Sequence, residues 1–339
     1  MNIYDISQKA GVSPTTVSRV INGSDNVSEK TRAKVNAIIA ETGYTPNAFA
    51  QGLGHDTMRT MGILCVDPSD SRSCPSLSNA IGYIQRELRA HDYDAVIYCV
   101  GYNMAEKARC IDDMLRRRVD SIFIVGSFFI EDKEKNNQCI LDAAEKTPIM
   151  LINGYLNHKN IYSFLCDDAG ASLQAVGHLL DTGCKKVLFL HGGMSGSEKR
   201  KLDGCREAHA SRKLVFSDDY VHECPQGVAE GTKFIENLAV GGLKFDAVFA
   251  TEDSLAVCAL KYAQKNKIHI PKDLCIMGYN NSVQSICTSP ELSSVDQNIE
   301  AVCVTAVSML ISRLKKGGVP TRTIIASEVI MRETTRTKH

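Results

Sequence analysis

The spacing of apolar residues changes near Met61, and that change divides the chain in two. Before it, apolar positions recur at helical intervals in short runs: Val17, Val20 and Ile21, then Val35, Ile38 and Ile39. The punctuation agrees. Asn2 precedes Ile3 with Asp5 three positions on, the order of a capping box, and Gly11 stops that helix. Ser13 is a good N-cap, and Pro14 follows at the first helical position, where its missing N–H costs nothing. Ser28 opens a third helix that Gly43 ends. Two short helices joined by a tight turn and braced by a third predict an all-α helix-turn-helix unit over 1–46. The following stretch, PNAFAQGLGHDTMR, builds no core of its own and reads as a linker over 47–59.

Beyond Met61 the runs become strand-like: MGILCV, DAVIYCV, SIFIVG, PIMLIN, KVLFLH, DAVFAT and LCIMGY. Amphipathic helices are expected between them, at Asn79 to Ala90, Glu106 to Arg117, Ala171 to Asp181, Ser254 to Lys265 and Ile299 to Leu314. Apolar strands alternating with such helices imply parallel sheets covered on both faces. The remaining length, 60–339, exceeds one comfortable core, so two doubly wound lobes are predicted.

Composition narrows the reading. No apolar run approaches the length of a membrane span, and the first residues lack the apolar stretch of a signal peptide, so a cytoplasmic protein is expected. The 13 cysteines are dispersed and never spaced C-x-x-C. Cys65, Cys99, Cys166, Cys184, Cys258 and Cys275 sit in or beside apolar runs and read as core filler, with no zinc site. The 39 basic and 39 acidic residues cancel. A DNA role therefore has to rest on arrangement, because the usual basic footprint is missing.

Packing Val17, Val20 and Ile21 inward turns Thr15, Ser18, Arg19 and Asn22 outward. Arg19 can give guanine two hydrogen bonds in the major groove, and Thr15 can meet a base edge or a thymine methyl. Thr16 and Asn22 suit phosphates, which fix register. A solvated helix face is the plain alternative. Order decides between them. AGVSPTTVSRVIN, VSEKTRAKV and GYTPNAFAQGL resemble the headpiece of the lactose/purine repressor (LacI/GalR) family, and GYNN, HIPKDL and TSPELSSVDQN extend the resemblance through the chain.

The resemblance implies a helix-turn-helix headpiece followed by a periplasmic-binding-protein-like core. Its N-lobe would be about 60–160 plus 289–319, and its C-lobe about 161–288 plus 320–339. It implies a homodimer that reads pseudo-palindromic operator DNA through Pro14, Thr15, Thr16, Ser18, Arg19 and Asn22. A hinge helix near Ala48 to Leu53 would put Leu53 into the minor groove, an apolar wedge that unstacks a base step. A helix this short, with Gly52 inside and Gly54 after it, should form only on DNA.

The resemblance also supplies effector positions: Ser76, Leu77, Asp167, Lys201, Asp253 and Asn280, with Gln297 as a further match. Lys201 stands where arginine is usual and Asn280 where aspartate is usual, which exchanges a planar fork for a point charge and one acceptor for a donor. Each has a plain alternative: Asp167 and Asp253 as helix caps, Lys201 as a solvated helix residue beside Lys199 and Arg200, Asn280 as a turn-former. The family implies a sugar or sugar derivative as effector, and no cofactor. A periplasmic sugar receptor is opposed by the headpiece. An enzyme is opposed by the absence of GxxxxGK[ST] and GxGxxG, HGGMSG notwithstanding, and His191 has no defensible nucleophile partner. Repressor and activator share the same headpiece.

Overall fold

The structure is a computed structural model. It describes every residue except 1, 22–23, 25, 45–57, 68–74, 102–103 and 338–339, and it leaves the side chains of 75–77 and 104 undescribed. The chain forms two compact units, Met1–Thr60 and Met61–His339.

The first unit holds helices α1 (Ile3–Ala10), α2 (Pro14–Ile21) and α3 (Glu29–Thr42). Each begins as its local chemistry dictates. Asn2 and Asp5 form a reciprocal capping box, and Gly11 ends α1 in the left-handed region at φ 62°. The Ser28 side chain accepts from the Thr31 N–H at the start of α3. Ile6, Ala10, Val17, Val20 and Val35 are buried together, with Ile21, Ile38 and Ile39 packed around them. This is a small core, so each member carries a large share of the stability.

The second unit contains two six-stranded sheets of the same design. The first runs β2 (Asp94–Val100), β1 (Thr60–Val66), β3 (Ser121–Val125), β4 (Ile149–Ile152), β5 (Ile161–Cys166) and β11 (Arg322–Ile325). The second runs β7 (Val221–Glu223), β6 (Val187–His191), β8 (Ala247–Ala250), β9 (Cys275–Tyr279), β10 (Ser293–Asp296) and β12 (Glu328–Ile330). The registered pairings are parallel except β10 with β12. Both sheets are covered on two faces. Met61, Ile63 and Cys65 pack on one side of β1 while Leu64 and Val66 pack on the other. Val187 and Phe189 divide from Leu188 and Leu190 in the same way.

The lobes are bounded differently from the sequence expectation. Strand β5, from 161, pairs with β4 and so closes the first lobe, one strand later than position 160. Strand β10, within the stretch assigned to the first lobe, pairs with β9 in the second, while β11 pairs with β5 in the first. The chain crosses between lobes three times, after Cys166, after Asp296 and after Ile325. Short strands paired only with distant residues carry little local signal. Cys99 is also corrected: it is exposed, because edge strand β2 turns alternate side chains to solvent, whereas Cys65, Cys166, Cys184, Cys258 and Cys275 are buried.

Candidate functional site

On the headpiece, burial of Val17 and Val20 orients α2 and leaves Thr15 and Arg19, one turn apart, exposed. Pro14, Thr16 and Ser18 are half-buried at the edges of that face. Ser13 caps the helix: its Oγ accepts from the Thr16 N–H at 3.1 Å and lies 2.9 Å from the Thr16 hydroxyl. Tyr4 on α1 is 68% exposed, a large polar-tipped side chain that the sequence pattern did not single out. Asn22 and the linker with Leu53 lie outside the described residues.

The second unit encloses a cavity of about 610 Å³ between its lobes. It lies at the carboxyl ends of the parallel strands, where the strand order of each sheet reverses and where ligands of such folds sit. The first lobe contributes the segment after β3, with Ser127 and Phe128, and Asn153 after β4. The second contributes Gly192 to Glu198 after β6, Glu252 after β8 and Asn280 after β9, and Gln297 lies on a crossover.

A polar chain ties the back of this cleft. The Asn153 amide donates to Gln297 Oε1 at 3.1 Å, and the Gln297 amide donates to Asn280 Oδ1. Asn280 and Asn281 both adopt positive φ, 95° and 44°. Consecutive non-glycine residues in that region are costly and mark positions that the surroundings hold in place. Asn281 is held by Asp296 and Arg332 at 3.0 and 2.6 Å. Three further contacts join the lobes: Ser127 Oγ to Ser195 Oγ at 2.7 Å, Lys199 to Asp132 at 2.5 Å, and Arg200 to the Asn153 carbonyl at 3.3 Å.

Charge in the cleft is internally paired. Helix Gly196–Ala210 brings Arg200 to Asp168, which also accepts from Ser197 Oγ at 2.8 Å and Tyr279 OH at 2.9 Å. Lys201 is buried, donates to Glu198 at 3.2 Å and to the Thr251 carbonyl at 3.1 Å, and lies 4.1 Å from the Tyr279 ring centre. Burial disfavours its ammonium, but Glu198, Asp168 and Glu252 outweigh that and keep its pKa above the ordinary value. Burial would likewise raise Glu198, yet Lys201 and a hydrogen bond from Ser195 hold it below the usual carboxylate range. Glu252 is the exception: burial pushes it up to about 7 against the pull of Lys201.

Of the expected effector residues, Lys201 and Asn280 line the cavity, with Gln297 beside them. Lys201 is buried rather than a solvated helix residue. Asp167 caps helix Asp168–Asp181 by accepting from the Gly170 N–H at 3.0 Å, and it is not among the lining residues. Asp253 is buried behind the cavity, accepting from the Ser282 N–H at 2.7 Å and Ser294 Oγ at 2.6 Å, which braces the turn carrying Asn280. Ser76 and Leu77 fall in the opening turn of helix Pro75–Ala90, with their side chains undescribed. Sequence reasoning missed Ser127, Ser195, Glu198 and Glu252. Ser195 lay within the HGGMSG stretch, and Glu252 stood as a carboxylate at a predicted strand end. His191, at the end of β6, accepts from the Gly193 N–H at 3.2 Å, and burial lowers its pKa. Among the described residues no group of three His, Cys, Asp or Glu side chains is placed to hold a metal ion, and no helix is long and apolar enough to cross a membrane.

Comparison with known proteins gives concordant matches to both units. Residues 2–47 match the family described as bacterial regulatory proteins, lacI family, and residues 176–335 match a periplasmic binding protein-like domain. An HTH-type transcriptional regulator of Lachnoclostridium phytofermentans is 44% identical over 335 residues, 99% of each chain. Catabolite control protein A of Priestia megaterium is 29% identical, covering 93% of each chain. Among solved structures, the lac repressor dimer bound to operator and the anti-inducer ONPF superposes with a TM-score of 0.86 at 22% identity, covering 99% of each chain.

Proposed function

The chain belongs to the lacI family of bacterial regulatory proteins, and from that premise we propose that it is a cytoplasmic, non-enzymatic repressor that binds a pseudo-palindromic operator as a homodimer. A small saccharide between the core lobes controls its operator affinity. The observation that carries the DNA reading is the outer face of α2, where Thr15 and Arg19 stand exposed over a buried Val17 and Val20. Arg19 reads guanine and Thr15 a neighbouring base; Pro14, Thr16, Ser18 and Asn22 set the helix against the backbone, and Leu53 enters the minor groove. Two-fold symmetry of the dimer requires a two-fold symmetric site.

In the cleft, Asn280, Gln297, Ser127, Ser195 and Glu252 offer the convergent polar groups that a hydroxyl-rich ligand needs, and Phe128 offers one apolar face. Asp253 braces that surface from behind, and Lys201 sits in its wall. Because Ser127, Asn153 and Asp132 lie on one lobe and Ser195, Arg200 and Lys199 on the other, a ligand among them favours one relative setting of the lobes. Differential binding to the two settings is what couples it to DNA.

Footprinting on the protein's own upstream DNA at matched salt tests the reading. Arg19→Ala should weaken specific binding by about 1–3 kcal/mol and relax preference at one base position, and Leu53→Ala should lose the bend. A wild-type footprint with no preference over bulk DNA at any salt would leave only a ligand-binding role.

A further inference from the structure

If a small molecule occupies the cleft, as proposed above, the fixed charges there determine which kind. Two features beside the cavity would ordinarily attract an anion. One is the N-terminus of helix Gly196–Ala210, whose backbone N–H groups and dipole favour negative charge. The other is Lys201. Glu198, the third residue of that helix, satisfies both. Its carboxylate accepts from Ser195 Oγ and from Lys201 Nζ and lies in the first turn of the helix, where it answers the dipole. The remaining Lys201 contacts, the Thr251 carbonyl and the Tyr279 ring, hold the ammonium inward. Arg200 is engaged by Asp168, and Lys199 by Asp132. Lys133, the other lining cation among the described residues, is exposed.

Beside this paired set, and within reach of the Lys201 charge, stands Glu252, whose side-chain carboxylate accepts one bond among the described residues, from Ser254 Oγ at 3.3 Å. Gly192 lets the Gln226 amide approach the same corner of the cavity: a Cβ there would lie 2.3 Å from the Gln226 amide nitrogen, with Glu252 Oε1 at an ordinary contact distance of 3.8 Å. A side chain at 192 would therefore displace the Gln226 amide.

We infer that the cleft excludes anions and takes an unphosphorylated saccharide with a hydroxyl or amine donating to Glu252, and that Glu198 is the residue that sets the exclusion. A second negative charge beside Glu252 would raise its already elevated pKa further, whereas a donor stabilises the carboxylate and releases its proton on binding.

The test is calorimetry on the full chain with a panel of mono- and disaccharides, each phosphorylated member paired with its parent. Thermal unfolding in inorganic phosphate against chloride of equal ionic strength accompanies it. Parents should bind at least about tenfold more tightly than their phosphates, and phosphate should not stabilise the wild type beyond chloride. Glu198→Gln removes the negative charge that offsets Lys201 and the helix end, so it should narrow that ratio and gain stabilisation by phosphate. Glu252→Gln should weaken the parents without admitting the phosphates, and it decides the matter should Glu198→Gln fail to fold. Preference of the wild type for a phosphorylated member, or its specific stabilisation by inorganic phosphate, overturns the inference while leaving a saccharide effector standing. If no saccharide binds, the effector reading itself falls and the inference with it, whatever the DNA footprint shows.

Discussion

Replacing Glu252 by glutamine should stabilise the ligand-free core at alkaline pH and leave it unchanged in acid. The folded carboxyl titrates near 7 instead of its ordinary 4.5, chiefly because burial penalises its charged form. Raised folded pKa means that the folded state holds the proton more tightly than the unfolded chain does. The resulting stability is fully present below about pH 4.5 and is lost as pH rises through about 7. The displacement corresponds to a penalty of about 3 kcal/mol by pH 8. Part of the carboxyl faces the cavity, so that figure is an upper bound. Glutamine keeps the shape and cannot ionise. Urea unfolding of both proteins at several pH values between about 4 and 8 gives the test. Circular dichroism is the suitable probe, because the chain has no tryptophan. The variant-minus-wild-type difference should be flat in acid, grow through pH 5 to 7 and level off above. A difference that stays flat over the whole range would refute the assignment of a charge-penalised carboxyl.

Other perturbations separate the parts of the molecule. Asp168→Asn leaves Arg200 facing a neutral amide and alters the acceptor for Ser197 and Tyr279; it should cost about 3 kcal/mol in urea unfolding and weaken saccharide binding. Ile6→Ala opens a cavity in the small headpiece core, where Ile6 is fully buried; a loss of about 2–5 kcal/mol should abolish the DNA footprint while calorimetry of the cleft is unaffected. Asp132→Ala removes an exposed pair that joins the lobes, so stability should change by less than about 1 kcal/mol, and any change in saccharide affinity should shrink as salt is raised.

What the sequence shows and hides follows from how far apart interacting residues lie. The caps at Asn2 and Ser28 and the face of Val17 and Val20 were legible because each depends on neighbours within a turn or two. Strands such as SIFIV and VLFLH were legible because burial on both faces makes them continuous apolar runs. Strand β10 was not. Its Ser293 and Ser294 are buried, and their hydroxyls are satisfied by Thr335 and Asp253, each more than forty positions away. The lobe boundaries were misplaced for the same reason, since only pairing assigns β5, β10 and β11 to their sheets. In the site, Asn280 was found through a motif, whereas Glu198 and Glu252 acquire their roles only when the ends of β6 and β8 converge on Lys201.

The central claim is that occupancy of the cleft changes the affinity of the headpieces for DNA. The most direct measurement is operator affinity, by fluorescence anisotropy at fixed salt, with the cleft empty and then saturated by a saccharide shown to bind there. The account predicts a change of at least about fivefold, matched by an equal change in saccharide affinity when operator is saturating. Operator affinity that is the same with the cleft empty and full would contradict it.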